Sequence, residues 1–278
     1  MLRVRLTLLA ALVLAAAPGC EKPEPRTALS YTADAKRAYD EALKELEAHN
    51  WIEAQSLLRE VKRKYSYSKY ARLAELRIAD ADFEQEKFSE AIRGYRQFVH
   101  DHRSDVEEVS YARSRIAEAQ YKQISESFLL PSADERDQAV IVDAFKELKA
   151  YVHDYPNAKE SQKIRELLAD VTARLMRHEL YVARFYLQRD NFQAAVLRIQ
   201  YAMRTFAGGP QIRGQSLSDH VDSGLEAEAL LLLGEVYLKM HKFGEARESF
   251  NALLRDYPRS PLVVQANNYL DYMRERGV

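Results

Sequence analysis

The stretch LEAEALLLLGEVYLKMHKFGEARESFNALLRDYP, residues 225–258, decides the fold. Its apolar and small residues recur every three or four positions, first from Leu230 to Tyr237 and again from Phe243 to Leu253. Such spacing places them on one face of a helix. Pro258 ends the second helix, because the residue before a proline leaves the α region. The stretch therefore predicts two helices joined by a short turn.

Gly234 lies inside the first of these two helices, where a glycine costs about 1 kcal/mol relative to alanine. We expect a close approach of the second helix to compensate for this cost, and we place Ala246 against the glycine. The corresponding positions of earlier segments hold Ala42 and Ala79, which are also small. Small residues at this place predict tight contact within each helix pair.

The second-helix pattern occurs five times along the chain. Each copy has a large apolar residue, then an alanine, then apolar residues four and seven positions after that alanine, so that all share one helix face. The five anchoring alanines are Ala54, Ala91, Ala144, Ala195 and Ala246. Repeated pairs with this order are typical of tetratricopeptide (TPR) arrays. We predict an all-α, TPR-like superhelical solenoid of about five helix pairs plus a C-terminal capping helix.

The intervals between the anchoring alanines are 37, 53, 51 and 51 residues, against a TPR period of about 34. The later repeats therefore carry extra length. We assign it to one long helix over Lys159–Arg189, which lacks glycine and proline, and to loops over Phe128–Asp137 and Ala207–Gly224.

The C-terminal end of the array is predicted to be closed by a helix over Pro261–Arg276. Ser260 is placed as its N-cap, with proline in the first turn, and Gly277 follows its last residue. We divide the array into N-terminal repeats 1–3, residues 31–156, and C-terminal repeats 4–5 with the capping helix, residues 157–278.

The N-terminus has the features of a bacterial lipoprotein signal peptide. Arg3 and Arg5 precede an uncharged apolar segment, residues 6–17, which is too short for a membrane span of about 20 residues. Gly19 then precedes Cys20, the single cysteine of the chain, and this order resembles a lipobox. We predict that residues 1–19 are removed, that Cys20 is lipidated, and that residues 20–30 form a tether.

Two neighbouring residues bear on this anchor. Ala17 stands where a lipobox usually has leucine, which leaves ordinary signal-peptidase cleavage with an idle thiol as the alternative. Glu21 stands where aspartate would direct retention in the inner membrane, so resemblance to sorted lipoproteins favours the outer membrane. The covalent lipid on Cys20 is the only added group that we predict, and no other cofactor is expected.

The charge of the chain argues against nucleic acid as a partner. It carries 41 basic and 42 acidic residues, a net charge of −1, which becomes −3 when Arg3 and Arg5 are removed with the signal peptide. A nucleic-acid-binding domain usually has a basic excess. The 9 glycines and 8 prolines are also too few for a turn-rich all-β fold.

No motif for catalysis occurs in the sequence: it has no GxSxG, no glycine-rich phosphate loop and no HExxH. His100 and His102 flank Asp101, and we interpret this group as a solvated turn instead of a metal site. We also interpret Asp80 and Asp82 as part of a solvated face. The sequence therefore predicts neither catalytic nor metal-binding residues.

Three tyrosines, Tyr65, Tyr67 and Tyr70, cluster at the end of the first repeat. One interpretation is that they pack between repeats. The other is that they line a groove that binds an extended peptide ending in an aromatic residue, which is a recurring mode of peptide recognition.

The order of motifs resembles the BamD (YfiO) family of TPR lipoproteins. Trp51 with Ala54, the sequence YPNA at 155–158 and the sequence ELYVARFY at 179–186 carry this resemblance. It implies a non-enzymatic scaffold of the β-barrel assembly machinery on the periplasmic face of the outer membrane. The implied partners are the POTRA domains of BamA, the other Bam subunits and unfolded outer-membrane proteins, whose C-terminal signal the N-terminal repeats would receive.

The resemblance also implies roles for individual residues. Arg198 stands where the family has an arginine important for communication with BamA. Independently of the resemblance, we expect the side of the long helix that carries Arg184 and Arg189 to face a partner. A second functional class stays open, namely a TPR lipoprotein that serves another cell-envelope process, such as coordination of peptidoglycan synthesis and division, or secretion.

Overall fold

Residues 28–124, 138–206 and 223–278 are described by the computed structural model of the chain, and they form eleven α-helices with no strand among them. The all-α prediction is confirmed. The predicted signal peptide, Cys20, the loop at 128–137 and most of the loop at 207–224 lie outside the described residues. In order, α1 to α11 span Ala28–Glu47, Trp51–Lys64, Lys69–Glu84, Phe88–Asp101, Val106–Lys122, Ala139–Asp154, Ser161–Leu187, Phe192–Thr205, Glu226–Lys239, Phe243–Asp256 and Val263–Glu275.

The anchoring alanines lie at the contact between the two helices of each pair. The side chains four and seven positions after them are buried as well, and in the second repeat Tyr95 is 0% and Phe98 1% exposed. All five alanines, Ala54, Ala91, Ala144, Ala195 and Ala246, are 0% exposed. The small residue lets the helices approach, and the larger residues fill the space beside it. The repeat pattern is therefore a packing pattern, as predicted.

Consecutive helices pack against each other along the whole described array. The first helices of neighbouring pairs also meet, since α1 contacts α3 and α5 contacts α7. We call the side of the stack that carries the first helices its inner side and the side that carries the second helices its outer side. The stack is the TPR-like solenoid that the sequence predicts.

The turns inside four of the pairs share one geometry. The residue two positions before the second helix has a left-handed backbone, with φ of 60° at His49, 60° at Glu86, 56° at Asp190 and 58° at His241. In the first of these turns the amide of Asn50 donates to the carbonyl of Glu45 at 2.9 Å, and the other three turns have the same bond. This is the Schellman end of a helix, here built without its usual glycine.

Gly234 packs against Phe250, so the predicted contact with Ala246 is wrong. A methyl group added at Gly234 would lie 2.4 Å from an atom of the Phe250 ring. That ring is 0% exposed and stacks on Tyr269, with 5.1 Å between centroids. The glycine therefore makes room for an aromatic side chain that is held on its other face.

The ends of the long and the final helix differ slightly from the prediction. α7, Ser161–Leu187, confirms one helix of 27 residues, about 40 Å long at 1.5 Å per residue. α11 begins at Val263, two residues later than predicted, with Leu262 at the N-cap position. Ser260 Oγ still accepts a hydrogen bond from the amide of Leu262 at 3.2 Å, in the turn before the helix.

Three clusters of buried side chains make up the core. One lies in repeat one between Ala35 and Ala74, one between Leu76 and Ala119, and the largest runs from Ala117 to Met273. These clusters do not divide the chain at residue 156, where the predicted boundary between N-terminal and C-terminal repeats lies. Within the described ranges, no helix is both long and apolar enough to cross a membrane.

Candidate functional site

A buried carboxylate, Asp80 of α3, organises the inner side of the first three repeats. Its Oδ1 accepts hydrogen bonds from the hydroxyl of Tyr95 at 2.5 Å and from the hydroxyl of Tyr111 at 2.9 Å. Its Oδ2 accepts from the guanidinium of Arg77, and Arg115 Nε lies 3.9 Å from Oδ1. The interpretation of Asp80 as solvated is wrong, because the residue is only 8% exposed.

The contacts of the two arginines extend this network to the neighbouring repeats. Towards the N-terminus, Arg77 Nε donates to the hydroxyl of Tyr39 on α1 at 3.3 Å. Towards the C-terminus, Arg115 donates to Glu118 at 3.3 Å, and Lys163 on α7 donates to the same carboxylate at 2.8 Å. A single chain of polar contacts therefore joins α1, α3, α5 and α7, the first helices of four pairs.

Burial and the neighbouring Asp80 charge raise the pKa values of the network tyrosines. Burial, followed by the charge of Asp80, raises the pKa of Tyr111 to about 12. The same two causes raise the pKa of Tyr95 further. Burial also raises the pKa of Tyr39, against the opposing effect of Arg77. At neutral pH these hydroxyls stay protonated and act as hydrogen-bond donors, which suits a structural role.

The histidines near the end of α4 belong to two different pairs. His100 Nδ1 lies 2.9 Å from Asp101, and His102 Nε2 lies 2.8 Å from Glu75 on α3. His102 is thus part of the contact between helices and not of a solvated turn. Among the described residues, no group of three or more histidine, cysteine or acidic side chains is arranged to hold a metal ion.

The three tyrosines at the end of the first repeat differ in exposure. Tyr65 is 5% exposed in the core of repeat one, where its ring meets Tyr31 edge-on at 5.3 Å between centroids. Tyr70 is half-buried against Tyr39, at 5.6 Å between centroids. Tyr67 is 95% exposed. The burial of Tyr65 and the ring contact of Tyr70 fit the packing interpretation, whereas Tyr67 presents its whole ring to solvent. The groove stays a prediction.

The three predicted partner-binding arginines lie in the fourth repeat. Arg184 of α7 pairs with Glu228 of α9. Arg189, in the turn after α7, stacks on Phe185 with 3.5 Å from the guanidinium carbon to the ring centroid.

Arg198 lies on the outer side of the array, on α8. Its Nη1 lies 3.2 Å from Oε2 of Glu179, a buried residue of α7, while 44% of the arginine side chain stays exposed. Its neighbours Leu197 and Tyr201 are 53% and 44% exposed. Many protein-binding surfaces combine a well-positioned arginine with exposed apolar side chains close to it. Sequence reasoning missed the two apolar neighbours, although they occur four residues apart on the polar side of the helix.

Comparison with known families agrees with this architecture. The family model described as "YfiO: Outer membrane lipoprotein" matches residues 32–229, and a model described as a tetratricopeptide repeat matches residues 228–260. The chain belongs to the YfiO family of outer membrane lipoproteins. The family resemblance that the sequence motifs indicate is thereby confirmed, and membership of YfiO supports both the lipoprotein prediction and association with the outer membrane.

Named relatives fit the YfiO assignment over most of the chain. The outer membrane protein assembly factor BamD of Caulobacter vibrioides is 26% identical over 97% of this chain and 81% of its own length. BamD of Neisseria meningitidis serogroup A is 24% identical over 83% of this chain and 82% of its own. Among solved structures, the TPR2AB-domain:pHSP90 complex of yeast Sti1 aligns with a TM-score of 0.41 and 13% identity, covering 81% of this chain and 78% of that chain.

Proposed function

We propose that this chain is a non-enzymatic scaffold of the machinery that assembles β-barrel proteins, held on the periplasmic face of the outer membrane by a lipid on Cys20. The YfiO match over residues 32–229 carries the proposal, and relatives named as outer membrane protein assembly factors support it. An array of helix pairs offers extended surfaces on which several proteins can dock. The polar side chains of the Asp80 network connect neighbouring repeats, which suits a structural role.

The surface around Arg198 is the proposed docking site for the periplasmic domains of a BamA-like barrel protein. The guanidinium is fixed by Glu179 at 3.2 Å, which reduces the loss of side-chain freedom when a partner binds. Leu197 and Tyr201 beside it supply apolar area that a partner can cover. Arg184 and Arg189 of the same repeat are proposed to contact other Bam subunits.

Two matched variants test this site in a pull-down with the periplasmic domains of the BamA-like protein from the same organism. Arg198→Ala is expected to weaken binding at least tenfold, since a central interface arginine contributes about 2 kcal/mol or more. Glu179→Gln keeps the guanidinium but removes the charge that holds it, so it should weaken binding less than Arg198→Ala does. Arg103→Ala removes an exposed charge from the turn after α4, in another repeat, and is the control for net charge.

Unchanged binding by Arg198→Ala would remove this surface from the proposal. The wider function is tested by depletion of the protein followed by measurement of barrel proteins in the outer membrane. Their content should fall. A normal content would favour the other class of TPR lipoprotein, which serves peptidoglycan synthesis, division or secretion.

The inner side of the first three repeats is proposed to receive unfolded outer-membrane proteins. Arg77 and Tyr111 are half-buried there, so the exposed part of each side chain can contact a peptide while the bonds to Asp80 stay in place. A fluorescent peptide ending in an aromatic residue should bind the mature chain, and the same peptide with a charged last residue should bind more weakly. Equal binding of both peptides would argue against recognition of an aromatic end.

A further inference from the structure

The turn between α2 and α3 carries an exposed surface that the proposed docking sites do not use. Tyr67 is 95% exposed at the tip of this turn, and Leu29, at the start of α1, is 84% exposed. Three exposed cations lie around them. We call the five residues Leu29, Arg63, Lys64, Tyr67 and Lys69 the anchor-side patch.

The start of α1 and the end of α2 are held side by side, so these residues share one edge of the array. The rings of Tyr31 and Tyr65 meet at 5.3 Å between centroids and form this contact. Ser68, in the same turn, accepts hydrogen bonds from the amide of Ala71, at 3.3 Å, and donates to the carbonyl of Tyr65, at 2.8 Å. The turn that carries Tyr67 is therefore fixed to the core although the side chain of Tyr67 is not.

The cations of the patch have no carboxylate within salt-bridge distance among the described residues, unlike their neighbour Lys62, which pairs with Glu75 at 3.1 Å. Lys64 Nζ lies 5.6 Å from the ring centroid of Tyr65, and Lys69 Nζ lies 5.3 Å from that of Tyr70. These contacts guide the lysine side chains along aromatic rings without neutralising them. The patch thus presents three uncompensated positive charges.

Helix electrostatics accounts for only part of this arrangement. Arg63 and Lys64 end α2, where the negative end of the helix dipole favours cations. Lys69 is the first residue of α3, where the positive end of the dipole disfavours a cation. An exposed tyrosine in the same turn also stabilises no packing. Residues that oppose the local preference in this way are commonly retained for binding.

We propose that the anchor-side patch docks on anionic lipid headgroups of the membrane that holds the lipid anchor. Positive charges beside an exposed tyrosine and leucine fit the interface, where the ring and the aliphatic side chain enter the headgroup region and cations contact phosphates. Seven residues lie between Cys20 and Ala28, the first residue of α1, so the eight steps from one Cα to the other span at most about 28 Å. The lipid therefore keeps this edge of the array close to the membrane surface.

The charge contribution sets the size of the expected effect. One lysine or arginine close to an anionic membrane strengthens binding about fivefold, so three should contribute on the order of 100-fold. Because exposed charges are screened by salt, most of this effect should disappear at about 0.5 M NaCl. The lipid on Cys20, which belongs to the proposed function, matters here only because it keeps the anchor-side patch near the membrane.

The test uses the chain from residue 20 onwards with Cys20→Ser, so that no acyl chain contributes. Its partition onto vesicles of phosphatidylcholine with 30% phosphatidylglycerol is measured by flotation and compared with pure phosphatidylcholine. The triple variant Arg63→Gln, Lys64→Gln and Lys69→Gln should bind the anionic vesicles on the order of 100-fold more weakly. Tyr67→Ser should weaken binding without changing its salt dependence.

A second triple variant, Lys122→Gln, Lys239→Gln and Lys242→Gln, removes the same charge from exposed positions at the opposite edge of the array. It should bind like the unmodified chain. Equal loss in both triple variants, or equal binding of the unmodified chain to both kinds of vesicle, would overturn the proposal. Circular dichroism should be the same in both triple variants, in Tyr67→Ser and in their common parent, because the side chains that distinguish them are exposed. Failure here would leave the pull-down with the BamA-like protein unaffected, so the two proposals fail separately.

Discussion

Replacing Asp80 by asparagine should loosen the first three repeats more than any other single polar substitution described above. Asparagine has the same shape but no charge, and its amide nitrogen cannot accept a hydrogen bond. The hydroxyls of Tyr95 and Tyr111 donate to one oxygen of Asp80, and Arg77 donates to the other. If the amide nitrogen faces Arg77, two donors meet and Arg77 loses its acceptor. If the nitrogen faces the tyrosines, their hydroxyl protons lose the oxygen that accepts them, and in both orientations the negative charge opposite Arg77 is gone.

The size of the effect follows from burial. Removing one member of a buried ion pair costs about 3–5 kcal/mol. The side chain of Asp80 is 11% exposed and that of Arg77 is 32% exposed, so water can reach one side of the pair. We therefore expect about 2–3 kcal/mol, discounted for screening. In a domain of this size this corresponds to a fall in Tm of about 5–10 °C.

Thermal and urea unfolding, followed by far-UV circular dichroism, measure this change. Repeat arrays can unfold in parts, so hydrogen exchange of α3 and α5 should be compared with that of α10. Asp82→Asn is the control, because Asp82 is half-buried and accepts one bond from Gln55 at 2.7 Å. It should cost about 1 kcal/mol or less. If Asp80→Asn destabilised the chain no more than Asp82→Asn, the network would not hold the repeats together.

Two further changes test packing and titration. Gly234→Ala should destabilise the fold by about 1–3 kcal/mol, because the new methyl group would lie 2.4 Å from Phe250. Gly244→Ala has open space around it and should stabilise the fold by up to about 1 kcal/mol. Shifts in Tm of the same sign for the two variants would contradict this. Tyr111 has a pKa of about 12 in the fold against about 10 when unfolded, so its contribution to the free energy of unfolding is complete below pH 10 and is lost towards pH 12. Tyr111→Phe should reduce this alkaline loss in urea titrations, and an unchanged slope would refute the assignment.

The helix pairs could be predicted because their signal is local and repeated. An alanine followed by apolar residues four and seven positions later defines a helix face within a few residues, and Ala91 with Tyr95 and Phe98 is one such case. The pattern does not reveal which side chain on the opposite helix fills the space. For this reason the partner of Gly234 was wrongly assigned to Ala246 instead of Phe250.

The Asp80 network could not be read from the sequence because its members lie far apart in the chain. Tyr95 and Tyr111 follow Asp80 by 15 and 31 residues, and they reach it only when α3, α4 and α5 pack. A carboxylate in a charged helix looks solvated until its neighbours are placed. The Schellman turns at residues such as His49 and Glu86 were hidden for another reason, since no glycine marks them.

The length of α7 has a mechanical consequence. Its 27 residues pack against α5 and α6 of the third repeat and against α8 of its own repeat. A displacement of the fourth repeat should therefore reach the third repeat through one continuous hydrogen-bonded helix, without a turn between them that could change its angle. A break within α7 would expose Ile164, Leu168 and Leu175, which are at most 2% exposed, and both parts of the helix would lose buried contacts.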